Sequence, residues 1–275
     1  MISWSKIGSL FAVLLIGWSA AISTDVALAA GQATRGEPTR SEIRRLLYVG
    51  NSFYYYNNSL HGHVNRMIAA AMPKEKREDY QSYSVTISGG HLKWHDVGAY
   101  LDAGIGSSSF NENNEVVTST GPLRFNAVMM MDCSRCPYDE ASRPVFHEQV
   151  KIKADAIRKR GVTPMLFMTW AYSDKPEMIE VLAREYLKAG RDNSMTVVPA
   201  GLAFQRALAG RPSLVLHVPD RRHPSLSGTY LAACTVLAAV YGIDPRNNRY
   251  TAGLAFEEAA YLQQVAWETV QDARP

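Results

Sequence analysis

From residue 43 onward, short apolar runs alternate with segments of helical period, and this alternation narrows the folds open to the chain. "IRRLLYVG" reads as a strand, followed by helical "LHGHVNRMIAAAM". "YSVTIS" is a second strand, ended by Gly89-Gly90, and "HLKWHDVGAYLD" has a helical pattern after it. "FNAVMMMD" is a third strand, nearly all apolar, as expected of a strand buried on both faces. Asp139 to Arg160 is helical, "TPMLFMTWAY" is a fourth strand, and "PEMIEVLAREYLKAG" is a helix with Gly190 at its end. "MTVVPA" is a short fifth strand before "GLAFQRALAG". Strands separated by helices imply an α/β fold, a parallel sheet with helices on both faces and right-handed crossovers. Gly104 to Gly121, polar and rich in Gly, Ser and Asn, is either a long loop or a small hairpin inserted before the third strand.

The first residues stand apart from this pattern. Lys6 precedes the apolar run "IGSLFAVLLIGWSAAIS", and Ala27 to Ala29 has the small-x-small form of a cleavage site. Residues 1–29 read as a secretory signal peptide, with an uncleaved membrane anchor as the alternative. Residues 30–43 are a polar lead-in, and residues 44–275 a single domain, since no linker separates two cores. An exported chain, periplasmic or extracellular, is expected, with no second apolar stretch long enough to cross a membrane. The net charge is only +3 and no Lys/Arg block stands out, which argues against a nucleic-acid partner. Three cysteines are too few for a disulfide scaffold. Cys234, inside "YLAACTVLAAVYG", reads as a buried core thiol.

Two places carry chemistry. After the first strand, Gly50-Asn51-Ser52 puts a small hydroxyl where a buried strand breaks into a loop. Turn chemistry alone accounts for such residues, but the carboxyl edge of a parallel sheet is also where α/β enzymes place a nucleophile. Near the end, "VPDRRHPSLSG" sets Asp220 three residues before His223, in a loop before an apolar helix that Ser225 or Ser227 can cap. A carboxylate so placed can hold one imidazole nitrogen while the other faces Ser52, the division of labour in a Ser-His-Asp triad. The chain order Ser, Asp, His is one in which this geometry occurs.

Ser52, Gly90 and Asp220-x-x-His223-Pro224 together resemble the SGNH-type (GDSL-like) serine hydrolases, over roughly Leu46 to Gly242. The usual Gly-Asp-Ser stands here as Gly50-Asn51-Ser52. The resemblance implies a flavodoxin-like three-layer α/β/α fold with a five-stranded parallel sheet. It implies hydrolysis of carboxylic esters, an O-acetyl group on a glycan among them, without metal or organic cofactor. It further implies Ser52 as nucleophile, His223 as base, Asp220 as its orienter, and the Ser52 and Gly90 N–H groups as oxyanion donors. The family's third donor, an asparagine after the third strand, is missing from "MMMDCSRCP", where the Ser134 hydroxyl could donate and Cys133 is a poor donor, so either Ser134 substitutes, another group does, or activity is weak.

Other residues invite separate readings. Asn51, Tyr54, Trp170 and Tyr172, all near strand ends, are candidate pocket residues for a sugar ring or an acyl chain, or else packing aromatics. C-S-R-C, Cys133 to Cys136, followed by Pro137, resembles thioredoxin-like redox motifs but lacks the tryptophan before it; a local disulfide and two quiet thiols are the other readings. His91 and His95 could share a helix face, but no third ligand is spaced to make a metal site with them. A catalytically weak glycan-binding pseudoenzyme and a thiol-disulfide protein are the alternatives to the hydrolase.

Overall fold

The computed structural model describes residues 43–102, 107–110, 113, 115–119 and 125–273. The expected signal peptide and residues 30–42 of the lead-in lie outside the described residues, and the described residues belong to one compact unit. The strands are β1 (Arg45–Gly50), β2 (Gln81–Thr86), β3 (Ser107–Phe110), β4 (Val116–Ser119), β5 (Ala127–Met130), β6 (Thr163–Phe167) and β7 (Thr196–Val198). Five of them form a sheet in the order β2-β1-β5-β6-β7, with every neighbouring pair parallel. The polar insert is the antiparallel hairpin β3–β4. The chain moves outward from β1 to β2 and then returns past β1 to β5. The reversal between β1 and β5 leaves a crevice at their carboxyl ends, where open α/β sheets bind ligands.

The helices are α1 (Ser52–Tyr55), α2 (Leu60–Ala71), α3 (Lys74–Arg77), α4 (Val97–Asp102), α5 (Arg143–Arg158), α6 (Met178–Asp192), α7 (Ala200–Gly210), α8 (Leu226–Tyr241) and α9 (Phe256–Asp272). Alternation along β1 assigns its side chains to two cores. Leu46 and Tyr48 join Met67 of α2, Phe204 of α7, Leu231 of α8 and Leu262 of α9, whereas Leu47 and Val49 join Val150 of α5 and Leu182 of α6. Each such fully buried apolar side chain contributes roughly 1.5–3 kcal/mol relative to exposure. Every residue of α8 from Gly228 to Tyr241 is buried, as its nearly uninterrupted apolar sequence requires. Its start is capped by the Ser225 hydroxyl, which accepts from Gly228 N at 3.1 Å, and its end by Gly242 in the left-handed region, φ 66°.

Two elements depart from the sequence reading. "HLKWHDVGAYLD" is not one helix: a 3-10 turn, Leu92–Trp94, gives way to extended backbone at His95, and Asp96 restarts the chain as α4 by accepting from Ala99 N at 3.0 Å. His91 and His95 therefore flank a turn and share no helix face. Gly190 does not end α6, which continues to Asp192. A Cβ there would sit 2.4 Å from Val197 Cγ2, so glycine lets α6 lie close against β7. Instead Asn193 Nδ2 closes the helix by donating to Ala189 O at 2.9 Å.

Candidate active site

Three loops from the carboxyl ends of β1, β2 and β5 meet at Asn51. Its Nδ2 donates to Gly90 O and to Asp132 O, each at 3.2 Å, while its Oδ1 accepts from Phe53 N at 3.2 Å and so caps α1. Asn51 is 5% exposed and acts as a staple between loops, with one edge on the cavity described below. Ser52 is the first residue of α1, where an N–H has no intrahelical acceptor. The end of β1 is fixed by His95, whose Nε2 donates to Gly50 O at 2.9 Å; burial holds this imidazole below its usual pKa.

The other half of the site comes from the loop before α8. Asp220 Oδ1 accepts from Arg222 N and His223 N, both at 2.9 Å, and Val218 N donates to His223 O at 2.9 Å. Arg221 takes a left-handed φ of 70° to let the turn close. The loop is tied down by Ser173 N donating to Arg221 O at 2.8 Å and Trp170 Nε1 donating to Arg222 O at 2.9 Å. This presents His223 so that its Nε2 lies 2.7 Å from Ser52 Oγ and its Nδ1 lies 2.5 Å from Asp220 Oδ2. Residues 171 positions apart thus share one hydrogen-bonded line. Burial pushes the Asp220 carboxyl up, but the His223 ring and the two N–H donors outweigh it and hold it at about 2. An ionised carboxylate at one end, an imidazole in the middle and a hydroxyl at the other can pass a proton from hydroxyl to ring.

A cavity of about 430 Å³ opens on this line, with Tyr55, Tyr56, Gly89, Ser134, Tyr172 and Arg222 in its walls. Tyr56 lies flat on the His223 ring, centroids 4.3 Å apart and planes 6° apart. A larger apolar cavity of about 640 Å³ lies between α7 and the loop before α8, but neither Ser52 nor His223 lines it. Among the described residues no helix is long and apolar enough to cross a membrane.

Several expected site residues fall elsewhere. Gly90 N donates to Ile87 O at 2.8 Å, closing a turn in which Gly89 takes φ 65°, so the expected Gly90 amide is occupied. Glycine is still required there, since a Cβ would meet Ile87 O at 2.7 Å, but it is Gly89 that lines the cavity. Tyr54 is fully buried, its hydroxyl 3.4 Å from Met129 O, because two steps along a helix turn it away from Ser52. Trp170 is also fully buried, stacked between Phe53 at 4.6 Å and Phe204 at 4.3 Å. Neither touches the cavity as expected. Tyr172 and Ser134 do line it, with Ser134 Oγ 2.8 Å from Tyr172 OH. Cys133 and Cys136 are joined in a disulfide, and Cys234 is a buried free thiol.

Asn57 belongs to the site and escaped the sequence reading. Its Nδ2 donates to Pro224 O at 2.9 Å and Thr229 Oγ1 at 2.8 Å, joining the chain after Ser52 to the chain after His223. Asn57, Asn58 and Ser59 are all left-handed, with φ of 54°, 65° and 67°. His63 Nε2 donates to Asn57 O at 2.6 Å and its Nδ1 accepts from Tyr250 OH at 2.8 Å. The available signal was the Asn-Asn-Ser run, since asparagine tolerates this backbone better than most residues.

No protein-family model matches this chain, and no curated protein matches it. Solved structures do. A DUF4886 family protein from Bacteroides uniformis superposes with a TM-score of 0.59 at 17% identity, covering 83% of this chain and 95% of its own. A candidate SGNH hydrolase from Slackia heliotrinireducens gives 0.53 at 18%, covering 72% of this chain and 98% of its own. This chain has the SGNH hydrolase fold. A mutant form of an acetylxylan esterase from Geobacillus stearothermophilus gives 0.51 at 14%, with 75% of this chain and 97% of that one covered. On the SGNH fold, the Ser52–His223–Asp220 line stands at the carboxyl edge of the sheet, beside the β1/β5 crevice.

Proposed function

We propose that this protein is an exported serine hydrolase that cleaves carboxylic esters, with O-acetyl groups on a glycan as the preferred substrate class. The observation that carries the reading is the pair of contacts at His223, 2.7 Å to Ser52 Oγ and 2.5 Å to Asp220 Oδ2. Ser52 Oγ attacks the ester carbonyl while His223 Nε2 takes its proton. Asp220 fixes the ring tautomer and stabilises the imidazolium. The developing oxyanion is met by the Ser52 N–H and by the hydroxyl of Ser134, which lines the same cavity. His223 then protonates the leaving alcohol, and water, activated by the same imidazole, releases the acid from the acyl-enzyme. The acetyl preference draws support from the acetylxylan esterase among proteins of similar fold and from the aromatic walls of Tyr55, Tyr56 and Tyr172.

One observation favours a second reading, a glycan-binding protein with weak turnover. The Gly90 amide is bonded within its own turn, and no asparagine follows β5. Loss of a single oxyanion donor costs about a hundred- to a thousandfold in rate. Turnover of p-nitrophenyl acetate and of acetylated xylo-oligosaccharides separates the two. The hydrolase reading expects turnover of both that disappears in Ser52→Ala. Oligosaccharide binding with turnover indifferent to Ser52→Ala favours the second reading.

A further inference from the structure

Beside Ser52, the loops after β2 and β5 bring together four side chains with no place in ester hydrolysis. His91, Asp132, Cys133 and Cys136 each offer one ligand atom, and these atoms lie within 4.8 Å of one another. His91 Nδ1 is 3.1 Å from Cys136 Sγ. Asp132 is 2% exposed, and its Oδ1 accepts from Leu92 N at 2.8 Å and Cys133 N at 2.7 Å. The two sulfurs are bonded to each other, so the cluster as it stands offers no thiolate.

We propose that reducing the Cys133–Cys136 bond converts these four side chains into a site for one borderline-soft divalent cation of the Zn2+ type. Two thiolates, an imidazole nitrogen and a carboxylate are a ligand set that such an ion takes in tetrahedral geometry, with bonds of about 2.0–2.3 Å. Those bonds set neighbouring ligand atoms roughly 3.3–3.8 Å apart, so the His91–Cys136 contact is already near the needed spacing. The chief adjustment is for the two sulfurs to part. Cys133 and Cys136 sit on a single turn closed by Cys136 N donating to Cys133 O at 3.0 Å, with Cα atoms 5.1 Å apart, so side-chain rotation suffices. The outer shell is in place: the N–H groups of Leu92 and Cys133 hold the Asp132 carboxylate. An entry path is in place as well. Asp132 and Cys136 are buried, but His91 and Cys133 are partly exposed and line the Ser52 cavity.

The chemistry balances with a phosphine as reductant. The disulfide gains two electrons and two protons, and the phosphine takes oxygen from water to become its oxide. The cation then displaces one proton from each thiol to solvent. Redox state and metal supply thereby act on one wall of the Ser52 cavity.

The test uses the full chain, reduced with a phosphine or left oxidised, titrated with Zn2+ and Co2+. The reduced chain is expected to take up about one Zn2+, and with Co2+ to show the thiolate charge-transfer and tetrahedral ligand-field bands of a sulfur-bound ion. The oxidised chain shows neither. Cys133→Ser and, separately, His91→Ala weaken uptake by at least about tenfold, and Cys234→Ala leaves it intact. Reduced chain that binds no Co2+, or binds it equally well in Cys133→Ser and His91→Ala, overturns the proposal and leaves Cys133 and Cys136 as a plain dithiol. Uptake is read without turnover, so this result and the fate of the hydrolase reading are independent.

Discussion

Tyr54 and Tyr56 are two residues apart and have opposite fates. Tyr54 is fully buried behind the site, whereas Tyr56 stacks on the His223 ring. The first turn of a helix decides this, because positions three and four after Ser52 share its face and position two does not. A strand-end reading of the aromatics cannot make that distinction. Asn57 acts at the same scale. Asn57→Ala removes two hydrogen bonds that hold Pro224 and Thr229 against the serine loop. We expect it to cost about 1–2 kcal/mol in stability and to lower kcat by about ten- to a hundredfold with KM little changed, since it misplaces the proton acceptor without touching the cavity walls. Steady-state kinetics and thermal unfolding check both. Asp220 makes a pH-dependent prediction. Its folded pKa is depressed to about 2, against roughly 3.9 for a free aspartate. A depressed carboxylate stabilises the fold above the unfolded value and loses that stabilisation as pH falls through the folded one. Wild type is therefore expected to unfold at a higher temperature than Asp220→Asn above about pH 4, and the gap closes as pH falls toward 2. A gap unchanged between these limits contradicts the assignment.

At the scale of elements, β1, β5 and β6 were legible because each is a short, mostly apolar run between loops or helices. Ala127–Met130 is buried at every position, as its unbroken apolar sequence implies. Boundaries set by tertiary contact were not. Glycine near the end of a helical pattern reads as a stop, yet Gly190 is there for the approach of Val197. Gly190→Ala is therefore expected to destabilise by about 1–3 kcal/mol through overpacking, instead of the stabilisation that alanine brings within an open helix. Denaturant unfolding gives the sign directly. The break between the 3-10 turn and α4 was equally hidden, because "HLKWHDVGAYLD" keeps a helical rhythm through the Asp96 cap. At the site the relay partners could be read from residue type and order. That Gly90 spends its amide on Ile87 could not, since Gly-Gly permits several turns and only coordinates tell them apart.

At the scale of the whole molecule, the parallel sheet explains why segments so far apart in the chain converge. Reversal between β1 and β5 leaves the loops after both strands facing one crevice, and the loop before α8 brings His223 to Ser52 at the same edge. Export belongs to this scale too. The proposed signal peptide predicts that the secreted chain begins near Ala30, which intact-mass measurement of exported protein will check. The most direct test of the central claim is to react the protein with a fluorophosphonate and locate the adduct by peptide mass spectrometry. The relay predicts a single adduct on Ser52 Oγ, with labelling lost in His223→Ala. An adduct on a different residue, or labelling of Ser52 that proceeds unchanged without His223, contradicts it.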